Sequence, residues 1–332
     1  MAPRPPLLLV ALFTLSTCTP SSPPQPTIIP LSPAAKNPQP YTSSSTNPLP
    51  LLIWHGLGDT FSSPGIEEIA SLASTIHPGT LVYTISLGGS DARADRSATF
   101  FGNVSAQLSD VCDAVAAHPI LATAPSVDAL GLSQGGQFMR GFVERCNVPP
   151  VRSLVTFGSQ HNGIAQFKQC EPTDWLCGAA MLLLKHNTWS HLVQSRLVPA
   201  QYYRDPADYD SYLDNSNFLA DINNERPVKN ETYRANLARL ANFVLYMFDH
   251  DETVIPKETS WFAEVNGSNV VPLRERRIYT EDWLGLRRLD EKGALHFRTI
   301  AGGHMDIPRQ LLNHTMAEFF GPLRDTIFSD EL

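Results

Sequence analysis

Short runs of apolar residues alternate with segments of helical spacing along most of the chain. The unbroken apolar run Pro50–Trp54 is typical of a strand that is covered on both faces. Further strands are predicted at Thr80–Leu87, Val127–Leu132, Val151–Phe157, Asn242–Phe248 and His296–Ile300. Between the second and third of these strands, apolar residues that step by 3, 4, 3 and 4 predict a long helix; they are Phe101, Val104, Leu108, Val111 and Val115. Strands separated by helices indicate right-handed crossovers and a mainly parallel central sheet with helices on both faces.

One interval of the chain is too long to be a simple crossover. It separates the predicted strands that end at Phe157 and begin at Asn242, and its pattern is partly helical. We therefore expect a helical insertion at about residues 160–240, lying over the sheet. The predicted fold class is α/β, with one folded domain over residues 49–321.

The N-terminus has the layout of a secretory signal peptide. Arg4 precedes the apolar run Leu7–Phe13, and small residues lead to Cys18, so residues 1–18 are the predicted signal. A Leu-Ser-Thr-Cys ending is also found in bacterial lipoprotein signals. Four Asn-X-Ser/Thr sequons favour a eukaryotic secretory route instead, and their candidate glycosylation sites are Asn103, Asn230, Asn266 and Asn313.

Two further segments are predicted to lie outside the folded domain. Residues 19–50 hold ten of the 27 prolines along with many Ser and Thr, and such a composition buries too little apolar surface to fold. We therefore expect residues 19–48 to be a disordered linker and residues 322–332 to be a C-terminal tail. The last four residues, Ser-Asp-Glu-Leu, share three positions with the Lys-Asp-Glu-Leu signal for retention in the endoplasmic reticulum.

Charge and hydropathy argue against nucleic-acid binding and against a membrane-spanning segment. The 25 basic residues against 33 acidic ones give a formal net charge of −8, and no dense Lys/Arg run offers a nucleic-acid footprint. Beyond the first twenty residues, no apolar stretch is long enough to span a bilayer. We expect neither nucleic-acid binding nor a membrane span.

Removal of Cys18 with the signal leaves an even number of cysteines in an oxidising compartment. The remaining four are Cys112, Cys146, Cys170 and Cys177, which allow three pairings; four unpaired buried thiols are the alternative. No Cys-X-X-Cys pair occurs, which argues against a zinc site.

A candidate nucleophile lies where a predicted strand meets a predicted helix. Gly131-Leu132-Ser133-Gln134-Gly135 is a Gly-X-Ser-X-Gly pentapeptide between the strand Val127–Leu132 and a helical stretch. A serine on such a tight turn needs small flanking residues so that the backbones can pass closely. The helix start also directs free N–H groups towards the reacting centre.

A serine nucleophile needs a histidine base that is oriented by a carboxylate, in the chain order Ser, acid, His. The strand ending at Phe248 is followed by two aspartates, of which Asp251 is the preferred acid and Asp249 the second choice. His304 follows Gly302-Gly303 just past the strand that ends at Ile300, so it is the predicted base. Two other histidines are set aside, because His296 falls within a predicted strand and His314 lies on a predicted helix.

Two backbone N–H groups are expected to form an oxyanion hole. One belongs to Gln134, the residue after the nucleophile, and the other to the loop after the first strand, with Leu57 as the candidate. We expect His55 in the same loop to be a packing or hydrogen-bonding residue, since it precedes the serine in the chain.

Four longer strings resemble the palmitoyl-protein thioesterases of the lysosome, which are α/β-hydrolases. They are Trp54-His55-Gly56-Leu57-Gly58-Asp59, Gly131-Leu132-Ser133-Gln134-Gly135-Gly136-Gln137-Phe138, Phe218-Leu219-Ala220-Asp221-Ile222-Asn223 and Tyr279-Thr280-Glu281-Asp282. The resemblance extends from about Pro50 to Gly321. It implies Ser133 as nucleophile, Asp251 as acid, His304 as base, and Leu57 with Gln134 as oxyanion donors. It also implies the disulfides Cys112–Cys146 and Cys170–Cys177.

The activity that this resemblance implies is hydrolysis of the thioester between a long fatty acyl chain and cysteine. The substrates would be S-acylated proteins or peptides and long-chain acyl thioesters, without a metal or organic cofactor. The implied compartment is the lysosome or a vacuole, with secretion or retention as alternatives. A lipase or carboxylesterase on the same fold would use the same residues, and a non-catalytic hydrolase-like binding protein is the alternative from another class.

Overall fold

A seven-stranded sheet forms the centre of the protein. In the computed structural model the described residues are 25–39, 41, 47–167, 173–174, 177–178, 181, 184 and 187–323. The strands of this sheet are β1 Thr27–Pro30, β2 Leu51–Trp54, β3 Val82–Ser86, β4 Val127–Leu132, β5 Val151–Phe157, β6 Asn242–Phe248 and β9 Leu295–Ile300. Their order across the sheet is β1-β3-β2-β4-β5-β6-β9; β1 is antiparallel to β3 and every other pair is parallel. A separate hairpin pairs β7 Glu264–Asn266 with β8 Asn269–Val271.

Helices cover both faces of the sheet because the strands bury side chains on both sides. In β2, for example, Leu52 and Trp54 join one apolar core while Leu51 and Ile53 join the other. The described helices are α1 Pro33–Lys36, α2 Pro64–Ile76, α3 Ala92–Phe100, α4 Val104–Ala117, α5 Gln134–Arg145, α6 His191–Arg196, α7 Tyr209–Asn215, α8 Leu219–Ile222, α9 Glu231–Ala238, α10 Arg277–Thr280, α11 Leu286–Glu291 and α12 Arg309–Phe319. Helices α4 and α5 pack on the first core, whereas α2 and α12 pack on the second. The predicted α/β class is confirmed.

The long interval between β5 and β6 holds α6 to α9 and the 3₁₀ turn Val198–Tyr202 among its described residues. A smaller apolar cluster joins this region to α3, with Phe100 packed beside Leu184, Leu197 and Ala200. The described helices are all too short or too polar to cross a bilayer.

The disordered linker predicted for residues 19–48 is wrong for residues 27–36. Strand β1 pairs with β3 and forms the edge of the sheet, and the side chain of Ile28 is buried in the first core. The hydroxyl of Ser32 caps α1 by accepting the Ala35 N–H at 3.1 Å and also accepts the Val82 N–H at 3.0 Å. The prolines here are tolerated because an edge strand and the first turn of a helix do not need the missing N–H.

Several terminal predictions lie outside the described residues. They are the signal peptide at 1–18, the linker before residue 25, and the Ser-Asp-Glu-Leu ending. Inside the fold, Cys112 on α4 and Cys146 at the end of α5 form a disulfide with their Cα atoms 6.0 Å apart, as the resemblance implies. Cys177 is also disulfide-bonded, but Cys170 lies outside the described residues, so this second pairing stays a prediction.

Candidate active site

Ser133 occupies a strained turn between β4 and α5. Its backbone has φ 50° and ψ −123°, a conformation that a residue other than glycine seldom adopts. Its neighbours Gly131 and Gly135 are required by close packing: a Cβ on Gly131 would overlap the backbone of Gly136, and one on Gly135 would overlap the carbonyl oxygen of Trp54. This strand-turn-helix geometry presents the hydroxyl above the sheet, as in the nucleophile elbow of α/β-hydrolases.

The structure brings Ser133, His304 and Asp251 into one hydrogen-bonded chain. The Nε2 atom of His304 lies 2.9 Å from the Oγ atom of Ser133, and its Nδ1 atom lies 2.7 Å from Oδ2 of Asp251. The other carboxylate oxygen of Asp251 accepts the backbone N–H groups of Thr253 and Val254 at 2.8 and 2.9 Å. These bonds hold the carboxylate, whose side chain is fully buried, at a fixed angle to the imidazole.

Asp249, the second candidate acid, and the histidines His296 and His314 make other contacts. Asp249 accepts the Gly302 N–H at 2.8 Å and lies 2.7 Å from Nδ1 of His250. The Gly302 bond, aided by His250, lowers the pKa of Asp249 from its ordinary value. His296 faces Asn242, and His314 pairs with a glutamate on α12. Asp249 thus braces the loop that carries His304.

The loop after β2 closely approaches Ser133, which is compatible with the oxyanion role predicted for it. A Cβ placed on Gly56 would lie only 3.2 Å from the Cβ of Ser133. Leu57, the next residue, lines the same cavity as Ser133. Gln134 is the first residue of α5, where an N–H has no acceptor within the helix. Its side chain is held by a bond to the Thr99 carbonyl and by the Tyr202 hydroxyl, at 3.2 and 3.0 Å.

A buried ion pair behind this loop was not predicted from the sequence. His55 is 1% exposed, as expected of a packing residue, and its Nε2 atom lies 2.9 Å from Oδ2 of Asp95 on α3. Asp95 also accepts the N–H groups of Phe61 and Leu87 at 2.8 and 2.7 Å. The carboxylate of Asp95 therefore ties the loop after β2 to the end of β3.

The pKa values of the pair favour its charged form. Burial opposes ionisation of both groups, but the hydrogen bond and opposite charge outweigh it. The pKa of His55 is accordingly raised and that of Asp95 lowered. The sequence around Asp95 is a polar helical segment in which no feature marks this residue. Its role depends on His55, Phe61 and Leu87, which lie in loops outside that segment.

Asp95→Asn should lower kcat/KM for hydrolysis of an acyl substrate by about tenfold to a hundredfold, since a small displacement of a site loop carries such a penalty. The carboxylate of Asp95 faces three donors with two oxygens, whereas the asparagine amide has only one oxygen. Its NH₂ group would therefore face a backbone N–H or His55, and neither could accept a hydrogen bond from it in the present arrangement. The matched control is Asp91→Asn, because Asp91 is the exposed cap of α3 and asparagine caps helices equally well. Steady-state kinetics and thermal unfolding of both variants test this, and equal activities would contradict a positioning role for Asp95.

The string Phe218–Asn223 supports helix α5 from the side of the insertion. Asp221 accepts from Arg145 at 2.6 Å, and the side chain of Asn223 accepts from the fully buried Arg140 at 2.8 Å. Phe218 packs edge-on against Phe138 with ring centroids 5.5 Å apart. Both arginines and Phe138 belong to α5, so the string fixes the helix that begins beside Ser133.

A cavity of about 580 Å³ opens at the Ser133 hydroxyl, within the size range of small-molecule sites. Ser133 and His304 both line it. Apolar and aromatic side chains of α3 and the insertion form much of its wall, among them Phe100, Ile164, Phe167, Met181, Pro199 and Tyr202, and Gln160 and Asp174 of the insertion also line it. The site therefore combines a serine-histidine-carboxylate chain with an apolar chamber.

Comparison with known proteins places this site in a family. The sequence profile described as palmitoyl protein thioesterase matches residues 50–304. Palmitoyl-protein thioesterase 1 of Caenorhabditis elegans is 35% identical over 282 residues, which cover 83% of this chain and 93% of that protein. Palmitoyl-protein thioesterase 3 of Dictyostelium discoideum is 34% identical, covering 78% and 86%. The human lysosomal thioesterase PPT2 is 28% identical, covering 76% and 80%.

Solved structures give more distant resemblances. Est1E from Butyrivibrio proteoclasticus has a TM-score of 0.42 and 11% identity, covering 88% of this chain and 97% of that one. The monoacylglycerol lipase of Paleococcus ferrophilus has a TM-score of 0.38 and 14% identity, covering 81% and 94%. The family profile spans most of the chain and includes all three residues of the hydrogen-bonded chain. On this evidence, the chain belongs to the palmitoyl protein thioesterase family.

Proposed function

We propose that this protein hydrolyses the thioester between a long fatty acyl chain and cysteine in S-acylated proteins or peptides. The observation that carries the proposal is the chain of hydrogen bonds from Ser133 through His304 to Asp251 at the mouth of a mostly apolar cavity. Family membership supports the same activity, since the relatives are named as thioesterases.

The reaction begins with attack of the Ser133 hydroxyl on the acyl carbonyl carbon. His304 Nε2 takes the hydroxyl proton, and the buried carboxylate of Asp251 stabilises the resulting imidazolium. The negative charge that develops on the carbonyl oxygen is held by the N–H groups of Leu57 and Gln134. Collapse of the intermediate breaks the carbon–sulfur bond and leaves the acyl group on Ser133.

Departure of the thiol and hydrolysis of the acyl-serine complete the catalytic cycle. A thiol has a pKa of about 8.5, so the carbon–sulfur bond breaks with little help from the His304 proton. The departing thiolate then takes that proton, which returns His304 to its neutral form. Water attacks the acyl-serine while His304 accepts a proton from it, and His304 gives this proton to the Ser133 oxygen as the fatty acid is released. The apolar side chains of the cavity would shield the acyl chain from water during both steps.

The route of the protein is part of the proposal. A signal peptide at residues 1–18 would lead into the secretory pathway, ending in the lysosome, a vacuole or outside the cell, with Ser-Asp-Glu-Leu as a retention signal. The lysosomal name of the human relative supports this route.

The folded domain at 49–321, extended to include residues 27–36, would carry glycans. The candidate sites are Asn103, Asn230, Asn266 and Asn313, of which Asn266 lies exposed at the turn of the β7–β8 hairpin.

A matched pair of substrates separates a thioesterase from a lipase or carboxylesterase. S-palmitoyl-N-acetylcysteamine and the palmitate ester of N-acetylethanolamine differ only in sulfur against oxygen. We expect kcat/KM to be higher for the thioester by at least about tenfold, because the thiolate is the better leaving group. Equal rates, or faster cleavage of the oxygen ester, would make the protein an esterase that shares the family fold.

A further inference from the structure

Thr99 contacts both of the chain segments that would form the oxyanion hole. It is the last residue but one of α3, is 1% exposed and does not line the cavity, so any effect on the reaction is indirect. Its hydroxyl accepts the Gly58 N–H at 2.9 Å, and its backbone carbonyl accepts from Nε2 of Gln134 at 3.2 Å. Because Gly58 follows Leu57 and Gln134 begins α5, the segments of both oxyanion donors are tied to one residue.

The hydroxyl of Thr99 is held in one orientation. It donates to the backbone carbonyl of Arg96 at 2.7 Å, which leaves its lone pairs for the Gly58 N–H. The side chain of Arg96 donates in turn from Nε to the Gly58 carbonyl oxygen at 3.0 Å. Both the N–H and the carbonyl group of Gly58 are therefore bound to α3.

The Gly58 N–H belongs to the tight turn that carries Leu57. The Asp59 N–H donates to the Gly56 carbonyl at 3.3 Å, and Gly58 has φ 76°, as the third residue of a type II turn requires. Such a turn differs from a type I turn mainly by rotation of its central peptide, which here joins Leu57 to Gly58. The bond to Thr99 selects one orientation of this peptide and so fixes the turn.

The other tie of Thr99 holds the start of α5. The carboxamide of Gln134 uses both of its ends, because Nε2 donates to Thr99 and Oε1 accepts the Tyr202 hydroxyl at 3.0 Å. The residue is 2% exposed. Its side chain therefore acts as a spacer between α5 and α3, and the distance from the turn to the first residue of α5 is set through Thr99.

We propose that Thr99 is a positioning residue that sets the distance between the two oxyanion donors, the N–H groups of Leu57 and Gln134. The proposal rests on the proposed function and adds a residue that the reaction needs without touching the substrate. An oxyanion hole stabilises the transition state only where its donors already lie at hydrogen-bond distance from the developing charge. Loss of the Thr99 hydroxyl frees the Gly58 peptide, so it lowers the rate more than it weakens substrate binding.

The test compares Thr99→Val, which keeps the branched shape without the hydroxyl, with Thr99→Ser, which keeps the hydroxyl. In the purified full-length protein, Thr99→Val should lower kcat for S-palmitoyl-N-acetylcysteamine by about tenfold and leave KM within about twofold. This loss is smaller than the hundredfold to thousandfold cost of removing an oxyanion donor outright, since the donor is displaced rather than deleted. Thr99→Ser should keep kcat within about threefold of the wild type.

The matched control is Thr80→Val. Thr80 is 4% exposed and its hydroxyl donates to the carbonyl three residues earlier at 2.6 Å, but it precedes β3 at the end of the sheet opposite to Ser133. This variant should keep kcat within about twofold. Thermal unfolding of all variants reports their stability, and Thr99→Ala provides the same test without the added methyl group if valine does not fit.

Inhibitor binding separates positioning from a general loss of stability. A long-chain alkyl trifluoromethyl ketone adds to Ser133 as a tetrahedral oxyanion, whereas the alcohol of the same chain length does not. Thr99→Val should weaken the ketone by about tenfold, the factor by which kcat falls, and the alcohol by less than about twofold.

Three results would overturn the proposal: equal weakening of both inhibitors, a kcat of Thr99→Val within twofold of the wild type, or a Thr99→Ser variant as impaired as Thr99→Val. Absence of thioester hydrolysis by the wild type would instead overturn the proposed function.

Discussion

Ser133→Ala is expected to lower kcat/KM for a palmitoyl thioester by roughly three orders of magnitude or more, with the protein still folded. Removal of the hydroxyl abolishes covalent catalysis, whereas the oxyanion N–H groups and the cavity are unchanged. Because alanine is smaller than serine and shares its backbone preferences, the turn with φ 50° is no more strained than before. Residual activity should reflect only binding and the oxyanion hole.

The control is a second buried serine that is remote from His304. Ser153 on β5 is fully buried, and its hydroxyl accepts from the side chain of Asn242 at 3.1 Å. Ser153→Ala should cost some stability but leave kcat/KM within about twofold. Activity and thermal unfolding of both variants would be measured on the purified protein. Substantial turnover by purified Ser133→Ala would assign the nucleophile to another residue.

The central strands of the sheet could be predicted because their side chains are buried on both faces. Strands β4, β5 and β6 have the bounds that their apolar runs predict. The short edge strand β1 was missed, because four residues in a proline-rich segment leave no compositional signal and its stability comes from pairing with β3. Local pattern thus identifies the buried centre of the sheet more readily than its edge.

The residues of the site also differ in how readily the sequence predicts them. Ser133 was identified by its glycines, whose spacing reflects local backbone geometry. Asp95 carries no local signal, since it acts through contacts with the loops that contain His55, Phe61 and Leu87. Only the folded arrangement reveals such a residue.

The choice between Asp251 and Asp249 depends on geometry that the sequence does not contain. Both follow β6, but Asp251 lies 2.7 Å from His304 Nδ1 whereas Asp249 binds the Gly302 N–H. Asp251→Asn would keep the oxygen on the Thr253 and Val254 N–H groups and turn its NH₂ towards His304 Nδ1. His304 would then carry its proton on Nε2, where it cannot accept one from Ser133.

We therefore expect Asp251→Asn to lower kcat/KM by about a thousandfold to ten-thousandfold, the scale of the loss when an imidazole is held in the wrong tautomer. Asp249→Asn should lower it by no more than about fivefold, because the asparagine oxygen can still accept the Gly302 N–H. Kinetics of both variants with one palmitoyl thioester, together with their unfolding temperatures, provide the comparison. If Asp249→Asn were the more damaging change in two equally stable proteins, Asp249 would be the acid, and Ser133 and His304 would keep their proposed roles.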